Sequence, residues 1–398
     1  MKKIFLTTIT LLSIASASVF GMYGVNSGDW IGFLTHGNQF RARVQQLGFT
    51  LGNDTIKGTF GFFNNGRGAY GSMLSQSTAT GAAGTGLYYD FTPTISMGLA
   101  YTSSLISVGV GYNATIGPRY NRYNEKTTPK KVEAVVHTPV LVLNALDNAF
   151  RMAIPIQVVN LTDKGNGAKG SVTAVSLDAQ FRYYSGLDFL PQIRLYIKYG
   201  NYGAQLSAGG EKIKQTFAES FGFDFRLYFG SMVEEVAIQP IVKLAYNGAL
   251  GKQHNVRNVT ALGALDDSAT YIQSAAEVFA GLATADPIPT YNGNAIGESW
   301  KKGAWDLKLT PALGITANSD IVSLYVEPSL GLQITQNGSA TDNKVKELYS
   351  LAWGTYAEIY ITPLKNLEWY FEADVSGDTA TPVSLAASTG ITWYLPAL

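Results

Sequence analysis

Alternation of apolar and polar residues with a period of two dominates the chain. Val175, Leu177, Ala179, Phe181 and Tyr183 form one set, and Ser176, Asp178, Gln180, Arg182 and Tyr184 the other. Successive side chains of a β-strand point to opposite faces, so the segment has one apolar and one polar side. The same pattern recurs where Ile193, Leu195, Ile197 and Tyr199 oppose Gln192, Arg194, Tyr196 and Lys198. It recurs again around Phe221–Phe229, Trp305–Ile315, Val322–Ile334 and Leu367–Val375. In these windows every charge falls on the polar face. A charge on the other face would cost roughly 2–4 kcal/mol if that face met mid-bilayer lipid.

The pattern predicts strands at 40–51, 55–63, 85–102, 105–114, 132–145, 149–160, 171–185, 189–200, 215–230, 234–247, 303–316, 321–336, 346–362, 366–376 and 382–395. Most exceed the five or six residues usual in globular proteins and suit a tilted membrane crossing. Their connections alternate. Short turns such as Gly52-Asn53-Asp54, Ser103-Ser104, Gly186-Leu187, Ser231-Met232, Asn318-Ser319-Asp320 and Pro363-Leu364-Lys365 are interleaved with long loops at 64–84, 115–131, 161–170, 201–214, 248–302 and 337–345. Short periplasmic turns and long outer loops are the rhythm of outer-membrane barrels. The expected fold is therefore all-β, a closed antiparallel transmembrane β-barrel of about sixteen strands, with fourteen as the alternative. Because the turn at 52–54 is of the short type, the strand at 40–51 runs downward. Closure then needs an upward strand before it, for which Asp29–Leu34 is the candidate. Prolines 93, 191, 240, 311 and 328 fall in or beside strand patterns and are expected at bulges or kinks. Trp305 is expected near the outer interface, and Trp369 and Trp393 near the periplasmic one.

The N-terminus adds a destination. Lys2 and Lys3 precede an apolar run from Ile4 to Ile14, followed by Ala15-Ser16-Ala17 and by Val19-Phe20-Gly21. This is the pattern of a secretory signal peptide over residues 1–21, cleaved after Ala17 or Gly21, leaving 22–398 as one barrel with its long loop at 248–302. Nothing downstream offers about 18 consecutive apolar residues.

Composition narrows the chemistry. Hydrophobic residues make up 46% and charged residues 15% of 398, which excludes a disordered chain. Basic and acidic residues are equal at 29 each, and removing Lys2 and Lys3 leaves 27 against 29, which gives no electrostatic footprint for nucleic acid. There is no cysteine, so disulfides, thiolate metal sites, cysteine nucleophiles and a lipid anchor on cysteine are excluded.

Local motifs carry little. Gly165–Gly170 has the glycine spacing of a dinucleotide loop but precedes a strand where that motif needs a helix. Ser299-Trp300-Lys301-Lys302 lacks the companion motifs of its enzyme class. His36, His137 and His254 do not share ligand spacing, and no nucleophile is paired with them. No catalytic residue, metal site or cofactor is expected, and an outer-membrane hydrolase is the weakest reading. In the 248–302 loop, Asp267 is placed to cap a helix running to about Ala283, with Ile272, Ala275, Ala276, Phe279 and Leu282 on one face. The loop either folds into the lumen and narrows it, which gives that face something to pack on, or projects outward.

The polar faces supply the candidate lumen-lining residues: Asp178, Arg182, Arg194, Lys198, Asp224, Arg226, Lys308, Glu327 and Glu358, with Lys243, Glu368, Glu372 and Asp374 alongside. A barrel of about sixteen strands is wide enough for an aqueous channel, and charges in it tune selectivity. The alternative is that these charges pair with one another and fill the interior.

One segment carries a resemblance. Thr35-His36-Gly37-Asn38-Gln39-Phe40-Arg41-Ala42-Arg43, Leu47-Gly48-Phe49-Thr50-Leu51 and Gly52-Asn53-Asp54-Thr55-Ile56-Lys57-Gly58-Thr59-Phe60-Gly61-Phe62 resemble the variable surface protein family of intestinal spirochaetes of the genus Brachyspira. The leader ending Ala-Ser-Val-Phe-Gly and the start Met22-Tyr23-Gly24 are similar too, while Val44-Gln45-Gln46 departs from the family's wording. The resemblance implies an abundant outer-membrane surface antigen whose variants aid immune evasion, and it does not establish a pore. The barrel reading itself adds contact with lipid, loops open to host surfaces or antibodies, and passage of small solutes if the lumen is open. The resemblance supplies no site residues and leaves homo-oligomerisation open.

Overall fold

A computed structural model describes residues 23–43, 46–64, 76–79, 86–89, 93–116, 120–121, 131–132, 135–163, 169–208, 211–230, 232–233, 236–251, 255–261, 290–291, 294–295, 301–339, 341, 344–379 and 382–395. The segment proposed as a signal peptide and the helix expected at 267–283 lie outside them.

Sixteen antiparallel strands form one sheet: β1 Gln39–Arg43, β2 Gln46–Gly52, β3 Ile56–Asn64, β4 Pro93–Tyr101, β5 Ile106–Ile116, β6 Val135–Ala145, β7 Phe150–Asp163, β8 Lys169–Tyr184, β9 Gln192–Ala208, β10 Glu211–Tyr228, β11 Val236–Ala249, β12 Trp305–Asn318, β13 Val322–Gln336, β14 Leu348–Leu364, β15 Leu367–Asp378 and β16 Ser384–Leu395. Each pairs with its neighbours in sequence, and Met232–Val233 adds a short pairing at the foot of β11. The sheet closes where Phe40, Arg41 and Ala42 of β1 pair with Leu395, Tyr394 and Trp393 of β16. Closure leaves no strand edge, as a membrane-spanning sheet requires.

The period-two pattern fixes the faces. Leu99, Val110, Leu141, Leu309, Leu330 and Leu332 are apolar and exposed, whereas their strand neighbours Ala100, Val140 and Val142 are buried inside. Trp369 and Trp393 are exposed on the outward face close to the β14–β15 turn. Phe223, Tyr246 and Trp305 stack in sequence across β10, β11 and β12 at the long-loop end, with centroids 5.9 and 6.4 Å apart.

The start of the barrel differs from expectation. Asp29–Leu34 is not a strand: Ser27–Trp30 forms a short helix, α1, and turns follow it to Thr35. The upward strand instead comes from splitting 40–51, because Arg43 pairs with Gln46 and the segment doubles back as β1 and β2. The sign of this in the sequence is a change of phase, since the apolar set moves from the even positions Phe40 and Ala42 to the odd positions Leu47, Phe49 and Leu51.

The same effect removes the loop expected at 201–214. There β9 and β10 continue to pair as far as Ala208 and Glu211, with one register shift between Tyr202 and Gly203. The strand expected over 85–102 is divided, since Gly86–Tyr89 pairs with Gln76–Ala79 in a separate ribbon and only Pro93–Tyr101 joins the barrel. Pro240, Pro311 and Pro328 sit in register rather than at bulges.

Candidate functional site

The functional region is the barrel interior, and two inserts shape it. The first is the N-terminal segment Tyr23–His36. Its rings pack on one another, with Tyr23 centroids 5.0 Å from both Trp30 and Phe33. They are received by strands whose inward residues are small. Gly98 pairs with Gly111 across β4 and β5, and a side chain at Gly111 would collide with the Trp30 ring. Ala100 and Gly109 make room for Phe33 and Leu34. Val140, Val142 and Ala153 of β6 and β7 complete one apolar cluster with Tyr23, Trp30, Ile31, Phe33 and Leu34.

Polar groups of the wall then bind the segment's backbone. Asn113 donates to the Gly24 carbonyl (2.7 Å), and Lys57 Nζ donates to the Leu34 and His36 carbonyls (2.9 and 2.7 Å). Arg151 reaches Thr35 Oγ1 (3.2 Å), and the Tyr23 hydroxyl lies 2.8 Å from His36 Nδ1. Burial pushes the Asp29 carboxyl up to about 6. Burial, reinforced by the positive charges of Arg41, Lys57, Arg151 and Arg182, pulls His36 down to about 3.

The second insert is Asn255–Ala261, a described part of the long β11–β12 loop. The Val259 N–H donates to Ser220 Oγ (2.7 Å) and the Ala261 N–H to Ser176 Oγ (2.9 Å). Gly200 lies between these serines in register, and any Cβ there would run into the Val259 carbonyl. This part of the loop thus enters the barrel, held by hydrogen bonds that its backbone donates to serines on the polar faces of β8 and β10.

The interior also holds a cavity of about 500 Å³, lined by residues from Tyr184 to Ser376. Of the residues singled out from sequence, Arg194, Arg226, Lys243, Lys308, Glu327, Glu358 and Asp374 line it. Arg182 stands opposite Arg194 and Asp178 opposite Lys198 in strand register, while Asp224 forms an ion pair with Arg226 at 2.5 Å. Lys243 pairs with Glu327.

Register sorts the charges into two arcs. Arg151, Arg182, Arg194, Arg226 and Lys243 stand directly opposite one another across β7, β8, β9, β10 and β11, forming a continuous basic row. The acids gather on β13, β14 and β15. Glu358 pairs in register with Glu372 and with Tyr325, while Tyr356 pairs with Glu327 and Asp374. Tyrosines mediate: Tyr325 donates to Glu327 and Tyr356 to Glu358. On the basic side, Arg151 stacks on Tyr184, Arg194 on Tyr228 and Arg226 on Tyr196, at 4.8, 4.5 and 4.9 Å from ring centroids.

Arg151, Tyr184 and Gln192 were not among the candidate lumen-lining residues, and Asp29–Leu34 was expected as a strand rather than an insert. Register arithmetic about the 185–191 turn would have set Arg182 against Arg194. The run of small inward residues Ser96, Gly98, Ala100, Ser107, Gly109 and Gly111 was the available sign that something packs there. Among the described residues, no group of three or more His, Asp or Glu could hold a metal ion.

Several solved structures are similar to this chain. The copper transporter OprC is similar over 88% of this chain, at 11% identity and a TM-score of 0.37, with this chain spanning 56% of its length. The translocator domain of the autotransporter NalP from Neisseria meningitidis is similar over 92% of this chain and 91% of its own, at 12% identity and a TM-score of 0.29. A loop-deletion mutant of OmpT, an outer membrane protein of Vibrio cholerae, is similar over 90% and 97%, at 9% identity and a TM-score of 0.30. Comparison with curated proteins gave no match. The family model described as Serpulina hyodysenteriae variable surface protein matches residues 2–394, so the resemblance carried by 35–62 extends over nearly the whole length. The chain is an outer-membrane β-barrel surface protein and belongs to the variable surface protein family.

Proposed function

We propose that the protein is a surface antigen whose barrel also passes small solutes, with export directed by a signal peptide over residues 1–21. The observation that carries this reading is the cavity of about 500 Å³ whose wall includes Arg194, Arg226, Lys243, Lys308, Glu327, Glu358 and Asp374. A sixteen-stranded barrel leaves room for water inside, and opposed basic and acidic arcs keep that water polarised and receptive to charged solutes. The inserted residues 255–261 narrow the passage from the loop side, and Tyr23–His36 occupies the β2–β8 half. No catalytic step or cofactor is part of the proposal. The outer loops are the surface offered to host molecules or antibody, and a homo-oligomer is compatible with the apolar outer face.

The second reading is a closed barrel that acts only through its loops as an adhesin or variable antigen. The two inserts favour it, because both fill lumen volume. Liposome swelling separates the readings. Proteoliposomes of refolded protein that swell in small sugars and amino acids, at rates falling with solute size, support conduction. Swelling no faster than in protein-free vesicles, with heat-modifiable protein confirmed, supports the closed barrel.

A further inference from the structure

The geometry points to an oxyanion-binding site on the basic wall of the cavity, formed by Arg194, Gln192 and Tyr184 and backed by Arg182 and Arg151. Its ligand class is a small solute bearing a carboxylate or phosphate group. The inference deepens the conducting-barrel reading by naming a solute class.

Three observations converge. First, Arg151, Arg182 and Arg194 stand side by side in register, and among the described residues no carboxylate lies within ion-pair distance of them. Like charges directly opposite one another on a sheet destabilise it. Their neighbours are instead neutral. With its amide turned to accept, Gln180 takes Arg182 Nε at 2.8 Å and the Tyr196 hydroxyl at 2.7 Å. Second, two buried hydrogen-bonding groups beside this row lack an acceptor: the Tyr184 hydroxyl, which lies against Arg182, and Gln192 Nε2. Gln192 is 7% exposed, and its orientation is fixed because its oxygen accepts from Arg194 Nε at 3.1 Å, which leaves the NH₂ outward. Buried polar groups are rarely left unpaired, and an orphan pair of this kind implies an unseen acceptor. Third, Tyr184, Gln192 and Arg194 all line the same cavity, so both buried groups belong to the wall that carries the guanidinium.

An oxyanion answers all three. It accepts from guanidinium, amide and hydroxyl together, and guanidinium geometry matches carboxylate and phosphate oxygens. Arg226 and Lys243, farther along the row, are already engaged by Asp224 and Glu327, which localises the site at β8 and β9. Glu358 and Asp374 also line the cavity and repel an anion there, which further holds it to the basic wall.

The test is isothermal titration of refolded, detergent-solubilised protein with inorganic phosphate at low ionic strength, and with acetate and a neutral sugar in parallel arms. Binding in detergent does not require conduction, so it succeeds or fails independently of the swelling assay. Saturable phosphate or acetate binding is expected, with none for the sugar. Arg194→Gln should weaken binding at least tenfold, and Tyr184→Phe, which deletes only the orphan hydroxyl, about threefold to fivefold. Preference between phosphate and acetate identifies the anion. Absence of saturable anion binding to heat-modifiable wild-type protein, or binding unchanged in both folded variants, overturns the proposal.

Discussion

Replacing Trp30 by alanine should release the N-terminal segment from the barrel without unfolding the barrel itself. Trp30 is fully buried, packs on Tyr23 and Phe33, and fits the hollow left by Gly98 and Gly111. A buried Trp truncated to Ala typically costs about 3–5 kcal/mol, because transfer and cavity terms add. Here almost all of that loss falls on docking, since the sheet is held by its own ladder from β1 to β16. At 1.4 kcal/mol per decade, the undocked population should rise by roughly 10²- to 10³-fold or more. The chain has no cysteine, so a single reporter is clean. Ser27 is 1% exposed and differs from cysteine by one atom. Ser27→Cys should react slowly with a water-soluble maleimide in the wild-type background and at least 100-fold faster with Trp30→Ala. Equal rates, in protein that keeps its heat-modifiable mobility, would refute the reasoning and show that docking does not depend on this ring.

Three further outcomes follow from the same structure. Gly200→Val should drive Asn255–Ala261 out of the barrel, because a side chain meets the Val259 carbonyl, and trypsin should then cut after Arg257, which stays protected in wild type. Docking of the N-terminal segment should vary little between about pH 4 and 6. The raised Asp29 pKa gives stability that is full below 3.8 and lost as pH rises through about 6, whereas the lowered His36 pKa gives stability that is full above 6.5 and lost as pH falls through about 3. Asp29→Asn removes one side of that balance, so Ser27→Cys labelling, normalised to unfolded protein, should then rise on acidification from 6.5. Val110→Arg, on the exposed apolar face of β5, should cost about 2–4 kcal/mol of barrel stability in urea titration if it lies near mid-bilayer depth, and a cost below 1 kcal/mol would show that this face does not meet lipid there.

The outward and inward faces were legible from sequence because a closed barrel obliges every strand to alternate. Leu309, Leu330 and Trp369 are exposed, and Lys308, Glu327 and Glu372 fall on the opposite parity. Connections were less legible. The hairpins at Arg43–Gln46 and Ala208–Glu211 are marked only by a change of phase, from Phe40 and Ala42 to Leu47 and Phe49, and by Gly209-Gly210, so one expected strand proved to be two and one expected loop proved to be strand. The first expected strand failed for another reason. Asp29-Trp30-Ile31-Gly32-Phe33-Leu34 is almost wholly apolar, and an apolar run of that length fits a buried helical turn as well as a strand. What decides between them is the hollow made by Gly98, Ala100, Gly109 and Gly111, some 70 residues or more away in sequence. The basic row was invisible for a related reason: residue types show in the sequence, but their adjacency depends on register.

The central claim is a solute-passing lumen narrowed by its own inserts, and single-channel conductance in a planar bilayer tests it most directly. The refolded protein should be compared with a version lacking 252–300. The Ala249 N–H donates to the Ala304 carbonyl, so the deletion rejoins chain ends that are already adjacent. Stable steps that grow when the loop is removed are the predicted result. No steps from either protein, with both folded, would contradict the account.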